Sequence, residues 1–84
     1  MIKIVYSSWL STRLNKSSEE ITQSSAITDV KSLISFLRER KGEFESVFKN
    51  DTIIHASLNG KIITPETAIH SGDEIIFFAP IAGG

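Results

Sequence analysis

The residues best placed to do chemistry lie at the end of this chain. It closes on Ala79-Pro80-Ile81-Ala82-Gly83-Gly84, and the carboxylate of Gly84 is the group that this ending would present. Neither glycine has a Cβ, so such a tip can pass through a channel that any side chain would block. Pro80 removes a backbone N–H and ends strand pairing before the tip. Six residues in extended form reach about 20 Å, enough to carry a carboxylate into another protein's site. A Gly-Gly ending alone reads equally well as a frayed terminus. An apolar last strand, a proline, small residues and a final Gly-Gly together point to a working carboxylate.

Other chemistry is poorly supplied. His55 and His70 stand fifteen positions apart, on a strand and in a turn, with no third ligand at metal spacing. They are expected to face solvent or to bond locally. No glycine-rich loop leads into a helix, so the chain is not expected to bind a nucleotide or other cofactor by itself. Glu19-Glu20 and Asp73-Glu74 are neighbours on or beside strands, where adjacent side chains point to opposite faces; both pairs read as solvated charge. There is no cysteine, which removes disulfides and thiolates and fits a reducing cytoplasm. Any sulfur chemistry must then use a sulfur that is not the chain's own. A formal charge of −1 gives no general attraction to nucleic acid or to anionic lipid. No apolar run approaches the ~18 residues of a membrane span, and the opening Met1-Ile2-Lys3-Ile4-Val5-Tyr6 does not read as a signal peptide.

These residues need a scaffold, and 84 residues allow one domain with one modest core. With 40% apolar and 23% charged residues the chain reads as globular. Ile2, Ile4 and Tyr6 alternate with Lys3 and Val5, as in a strand with one buried face; Ser7-Ser8 ends it. Trp9 to Leu14 reads as one or two helical turns, with Leu10 and Leu14 on one side. Ser17 to Gln23, polar around Ile21, suggests a short edge strand. A helix is predicted from about Thr28 to Lys41, with Thr28 as N-cap, Asp29 in the first turn and Gly42 as the stop. Its Val30, Leu33, Ile34 and Leu37 follow the i, i+3, i+4, i+7 spacing of a core-facing stripe. Phe44, Val47 and Phe48 make a second short helical stretch, ended by Asn50-Asp51. Ile53 to Leu58 is a strand, Asn59-Gly60 the favoured pair of a type I′ hairpin turn, and Lys61-Ile62-Ile63 the return. Thr64-Pro65-Glu66 and Ser71-Gly72-Asp73 are turns before the last strand, Glu74 to Phe78.

One main helix can cover one face of such a sheet. The order therefore predicts an α+β, ubiquitin-like β-grasp over residues 1–78, with residues 79–84 as an extended tail. In the last strand Ile75 and Phe77 share one face, and Ile76 and Phe78 the other. The first pair is assigned to the core. Ile76 and Phe78, with Val5 and Pro80 beside them, are expected to form an apolar patch, and such patches mark partner sites.

The ending Phe77-Phe78-Ala79-Pro80-Ile81-Ala82-Gly83-Gly84 resembles that of the MoaD-like sulfur carriers, the small subunits of molybdopterin synthase. The opening strand, the helix carrying Val30, Leu33 and Leu37, the strand into Leu58-Asn59-Gly60, and Gly72-Asp73-Glu74-Ile75 agree with the same family. Ala79 departs from it, where many members have proline, and so does Ser7, where an apolar residue is common. The resemblance implies that a ubiquitin-activating-like adenylyltransferase uses ATP to adenylate Gly84. A persulfide donor then supplies sulfur, and Gly84 becomes a thiocarboxylate. The carrier donates this sulfur, within a heterotetrameric synthase, to cyclic pyranopterin monophosphate held by the large subunit. Gly83 would thread the tail, and Ile76, Phe78, Pro80, Ile81 and Ala82 would contact partners. Catalytic groups would lie on those partners. A thiamine-pathway or tRNA-thiolation carrier of the same fold is the nearest alternative, and an interaction module whose tail is never activated is the alternative from another class.

Overall fold

A computed structural model describes residues 1–7, 9–49 and 54–79. In chain order the elements are β1 (Ile2–Tyr6), α1 (Trp9–Leu14), β2 (Ser18–Ile21), α2 (Val30–Arg38), α3 (Gly42–Lys49), β3 (His55–Leu58), β4 (Lys61–Ile63) and β5 (Glu74–Phe78). The strands form one mixed sheet in the order β2-β1-β5-β3-β4. β1 and β5 run parallel, while the β1–β2, β3–β5 and β3–β4 pairs are antiparallel. This is the α+β β-grasp expected from the element order. Asn50, Asp51 and Ile53, assigned above to a helix end and a strand start, lie outside the described residues, as does Ser8.

Alternation sorts the sheet into two faces. Ile2, Ile4 and Tyr6 of β1, Ile75 and Phe77 of β5 and Ala56 of β3 are buried on one of them, together with Leu10 and Leu14 of α1, the four stripe residues of α2, and Val47 and Phe48 of α3. All three helices therefore serve a single core. Its centre is aromatic: Phe48 meets Phe77 edge to face at 5.1 Å, and Tyr6 stacks on Phe77 at 6.3 Å.

The main helix corrects two expectations. Its N-cap is Asp29, not Thr28: Asp29 Oδ1 accepts from Ser32 N at 2.8 Å, and Ser32 Oγ accepts from Asp29 N at 3.0 Å. The reciprocal box needs a hydroxyl or carboxyl group three residues after the cap. Asp29 has Ser32 there, whereas Thr28 has Lys31. Val30 N and Lys31 N, two donors that no helical turn can satisfy, bond to Thr67 O and Pro65 O of the loop before β5. At the other end the helix stops at Arg38, with Glu39 as C-cap. Lys41 and Gly42 both have left-handed φ, 66° and 61°, and Gly42 opens α3 rather than ending α2. The hairpin behaves as its residues require. Asn59 and Gly60 take φ of 50° and 94°, and Leu58 lies opposite Lys61.

Candidate functional site

The face of the sheet away from the helices is the candidate site. Pairing register sets its residues in rows. Val5 lies beside Ile76, Ile76 beside Ser57, and Ser57 beside Ile62. One row further toward the end of β5, Phe78 lies beside His55, with the two rings stacked at 5.7 Å. At the opposite end Lys3 is flanked by Glu20 and Glu74 and pairs with Glu74 at 3.7 Å. The face is thus charged at one end, while through its middle Val5, Ile76 and Ile62 share a row with Ser57, and Phe78 and His55 lie where β5 stops. Val5, Ile76 and Phe78 are each half-buried, while Ile62 is 76% exposed.

Of the sequence-predicted site residues, Ile76 and Phe78 fall together on this face, as strand alternation demands. Pro80, Ile81, Ala82, Gly83 and Gly84 lie outside the described residues. Ala79, assigned above to the tail, is 4% exposed. Burial therefore continues one residue past β5. Two members of the face escaped the sequence reading. Ile62 looked like either residue of a short apolar return strand; the two-residue hairpin, which puts Ile63 opposite Ala56 and Ile62 opposite Ser57, was the signal that could have found it. His55 carried no such signal, because its contact with Phe78 depends on β3 lying beside β5.

Titratable groups converge at a second place, on the helix side of β2. The Glu19 carboxylate accepts two bonds from Arg40, at 2.7 and 2.9 Å, and one from the Tyr6 hydroxyl at 2.6 Å. Lys16 adds a contact at 3.7 Å. Arg40 lies over the rings of Phe36 and Phe44, at 5.4 and 4.8 Å. Glu19 is therefore not solvated charge, as expected above; its side chain is only 11% exposed. Burial by itself pushes the Glu19 carboxyl up, but the bonds from Arg40 and Tyr6 outweigh it and hold the group below its ordinary value. Burial, reinforced by Glu19, drives the Tyr6 phenol well above its usual range. The Glu19 bond also raises the Arg40 guanidinium. Every strong donor here is already committed, so the cluster works as a clasp between β1, β2 and the α2–α3 corner.

The other acidic pair is likewise tied in. Asp73 accepts from His70 N at 2.8 Å and from Asn59 Nδ2 at 3.3 Å, and Asn59 Oδ1 accepts from Glu74 N at 3.1 Å. This bonding joins the hairpin turn to the start of β5. The His70 ring is exposed, and its Nδ1 stands 3.9 Å from Asp73. Among the described residues no helix is long and apolar enough to cross a membrane.

Comparison with known proteins gives a family and a set of similar folds. The family model described as the ThiS family matches residues 4–84. Among solved structures, SAMP1 from Haloferax volcanii superposes with a TM-score of 0.78 at 23% identity, covering 99% of this chain and 98% of that one. A putative molybdopterin converting factor, subunit 1, from Pyrococcus furiosus gives 0.76 at 20% identity, covering 95% and 97%. The complex of subunits 1 and 2 of molybdopterin-converting factor from Helicobacter pylori contains a chain that gives 0.65 at 19% identity, covering 99% and 97%. No curated protein matches the chain.

Proposed function

The chain belongs to the ThiS family and has a ubiquitin-like sulfur-carrier fold, and from that premise we propose that it carries sulfur as a thiocarboxylate on Gly84. The observation that carries this reading is that the family match runs through the tail to Gly84. A carboxylate at neutral pH is a poor electrophile, because its charge repels a nucleophile and oxide does not leave. A ubiquitin-activating-like adenylyltransferase would therefore first join Gly84 to AMP at the expense of ATP. The outer sulfur of a persulfide donor would then displace AMP to form an acyl disulfide, and a thiol would cleave its S–S bond, leaving a thiocarboxylate on Gly84 and a disulfide on the donor side. The carrier itself needs no cofactor and no catalytic side chain for these steps. It supplies a face that partners recognise and a tip narrow enough to enter their sites.

The finer reading is the small subunit of molybdopterin synthase, delivering sulfur to cyclic pyranopterin monophosphate on a large subunit. Phe77-Phe78 followed by Pro80 favours it, as does α3, a segment that thiamine-pathway carriers tend to lack. The Helicobacter structure, a complex of subunits 1 and 2, supports a second subunit as the partner in this reading. In this reading Ile76 and Phe78 anchor the docked complex, and Pro80, Ile81 and Ala82 line the path of the tail.

Intact-mass measurement after incubation with ATP, the adenylyltransferase and a sulfur donor tests the proposal. Replacement of one oxygen by sulfur at the C-terminus is the expected result. A chain with one alanine added after Gly84 should not load, because the reactive carbon is then displaced by about 3.5 Å. Equal loading of both chains would sink the carrier reading. Loading without transfer to cyclic pyranopterin monophosphate would leave the carrier and reject the molybdopterin assignment. Failure of the unextended chain to load at all would favour a non-activated interaction module.

A further inference from the structure

Ser57 interrupts the apolar row of the proposed docking face. It pairs with Ile76 of β5 on one side and with Ile62 of β4 on the other. Paired strands stand about 4.8 Å apart, and serine is much shorter than isoleucine. The two isoleucines therefore flank a notch with a hydroxyl at its floor. Ser57 is half-buried. Its Oγ has no hydrogen-bond partner among the described residues, and it stays open to water. The polar groups around it are engaged elsewhere. Ser7 Oγ, at the edge of the face, donates to Phe77 O at 3.1 Å. The Asn59 amide, two residues along β3, bonds to Asp73 and to Glu74 N. Lys3, in the charged row, pairs with Glu74. The Ser57 hydroxyl is thus a free donor in the middle of the face.

We propose that Ser57 determines which partners dock here, its hydroxyl donating a hydrogen bond to a carbonyl oxygen that projects from the partner into the notch. The inference rests on the docking reading above and adds the chemistry of the surface that fits it. Docking strips water from the row, and a covered hydroxyl left without a hydrogen bond costs about tenfold in affinity or more. A wholly apolar surface leaves the hydroxyl unpaired, and a flat one also leaves the notch void. A charged group would lose its water between two isoleucines. A neutral carbonyl oxygen, from the backbone or from an amide side chain, is slim enough for the notch and accepts the bond. The hydroxyl is assigned as donor because burial tolerates an unpaired donor less well than an under-used acceptor. Ile76 and Ile62 then meet apolar surface on either side, so the partner sets this carbonyl among apolar side chains.

The test is the dissociation constant of the complex with the purified large subunit for the unaltered chain, Ser57→Ala and Ser57→Val. The denaturation midpoint of each free chain is measured alongside. Ser57→Ala should weaken binding about tenfold, mostly through faster dissociation. Ser57→Val, which fills the notch with apolar atoms, should weaken it at least as much. Neither change should destabilise the free chain. Binding of Ser57→Ala as tight as that of the unaltered chain would overturn the inference. So would tighter binding of Ser57→Val, since the surface opposite would then be apolar. A loss of affinity matched by an equal loss of stability would overturn it too, because Ser57 would then belong to the fold. Phe78→Ala separates the two levels. If it docks as well as the unaltered chain, the docking reading itself is wrong; if it fails to dock while Ser57→Ala binds normally, only the role of Ser57 is lost.

Discussion

The two faces of β5 carry nearly the same chemistry and have opposite fates. Ile75 and Phe77 are completely buried beneath α2 and α3, whereas Ile76 and Phe78, the next residues along, are half-covered by their own sheet neighbours. Composition cannot separate an isoleucine and a phenylalanine on one face from the same two residues on the other. The difference is coverage, since all three helices pack on a single side. A half-covered apolar row outside the core is the kind of surface that partners use, which is why the proposed docking face is placed here. The buried pair holds the strand in place, and the open pair belongs to the proposed docking face.

The sharpest way to break this contrast is a pair of truncations. Phe77→Ala should cost about 3–5 kcal/mol of folding stability, as expected for a buried aromatic, with denaturant midpoints as the measure. Phe78→Ala should cost far less stability and instead weaken the complex with the large subunit by about 2 kcal/mol or more, as a truncated interface aromatic does. Similar stability losses from both would mean that the two faces are one core. A smaller effect is expected at β2, where adjacent glutamates repeat the contrast in charged form. Glu19→Gln should cost about 1–2 kcal/mol, because Arg40 and the Tyr6 hydroxyl lose an ionised acceptor. Glu20→Gln should stay within about 0.5 kcal/mol, as surface changes do.

The Glu19 clasp also makes a pH prediction. Its folded carboxyl titrates below the unfolded value of about 4.3, so the unfolded chain holds that proton more readily. The stabilisation is complete above the unfolded value and is lost as pH falls through the lower, folded one. Glu19→Gln should therefore flatten the acid limb of a stability–pH curve. An unaltered acid limb would assign the acid sensitivity to other carboxylates. The smallest expected stability change is at Ile62, which is exposed and at the sheet edge. Ile62→Ser should leave stability within about 0.5 kcal/mol while lowering affinity for the large subunit. No loss of affinity would confine the docking surface to β1 and β5.

Much of the scaffold was legible because it depends on neighbours in the chain. Strand alternation assigned Ile2, Ile4 and Tyr6 to one face, the i, i+3, i+4, i+7 spacing picked out Val30, Leu33, Ile34 and Leu37, and Asn59-Gly60 announced a hairpin. The true N-cap was also written locally, in Asp29 and Ser32 three residues apart. Thr28 is also a favoured cap type, but it has Lys31 three residues on and cannot close the reciprocal box. The stop of α2 at Arg38 was not local. Arg40 leaves the helical path to reach Glu19 on β2 and to lie over Phe36 and Phe44, and all but Phe36 belong to other elements. Alternation puts Glu19 on the face of Ile21 and Glu20 on the other, but only pairing with β1 brings Glu19 to the Tyr6 hydroxyl.

Taken alone, the sequence determined the order of elements, the two-sided character of Glu74–Phe78 and the family to which its Gly-Gly ending points. Each of these is carried by residue type and by spacings of a few positions. Only the tertiary structure decided that β3 lies beside β5, and through that pairing that His55 rests on Phe78 and that Ile62 completes the row begun by Val5 and Ile76. Side-chain periodicity tells which residues of one strand share a face. It says nothing about which strand comes next, because that choice is made by packing across the whole sheet.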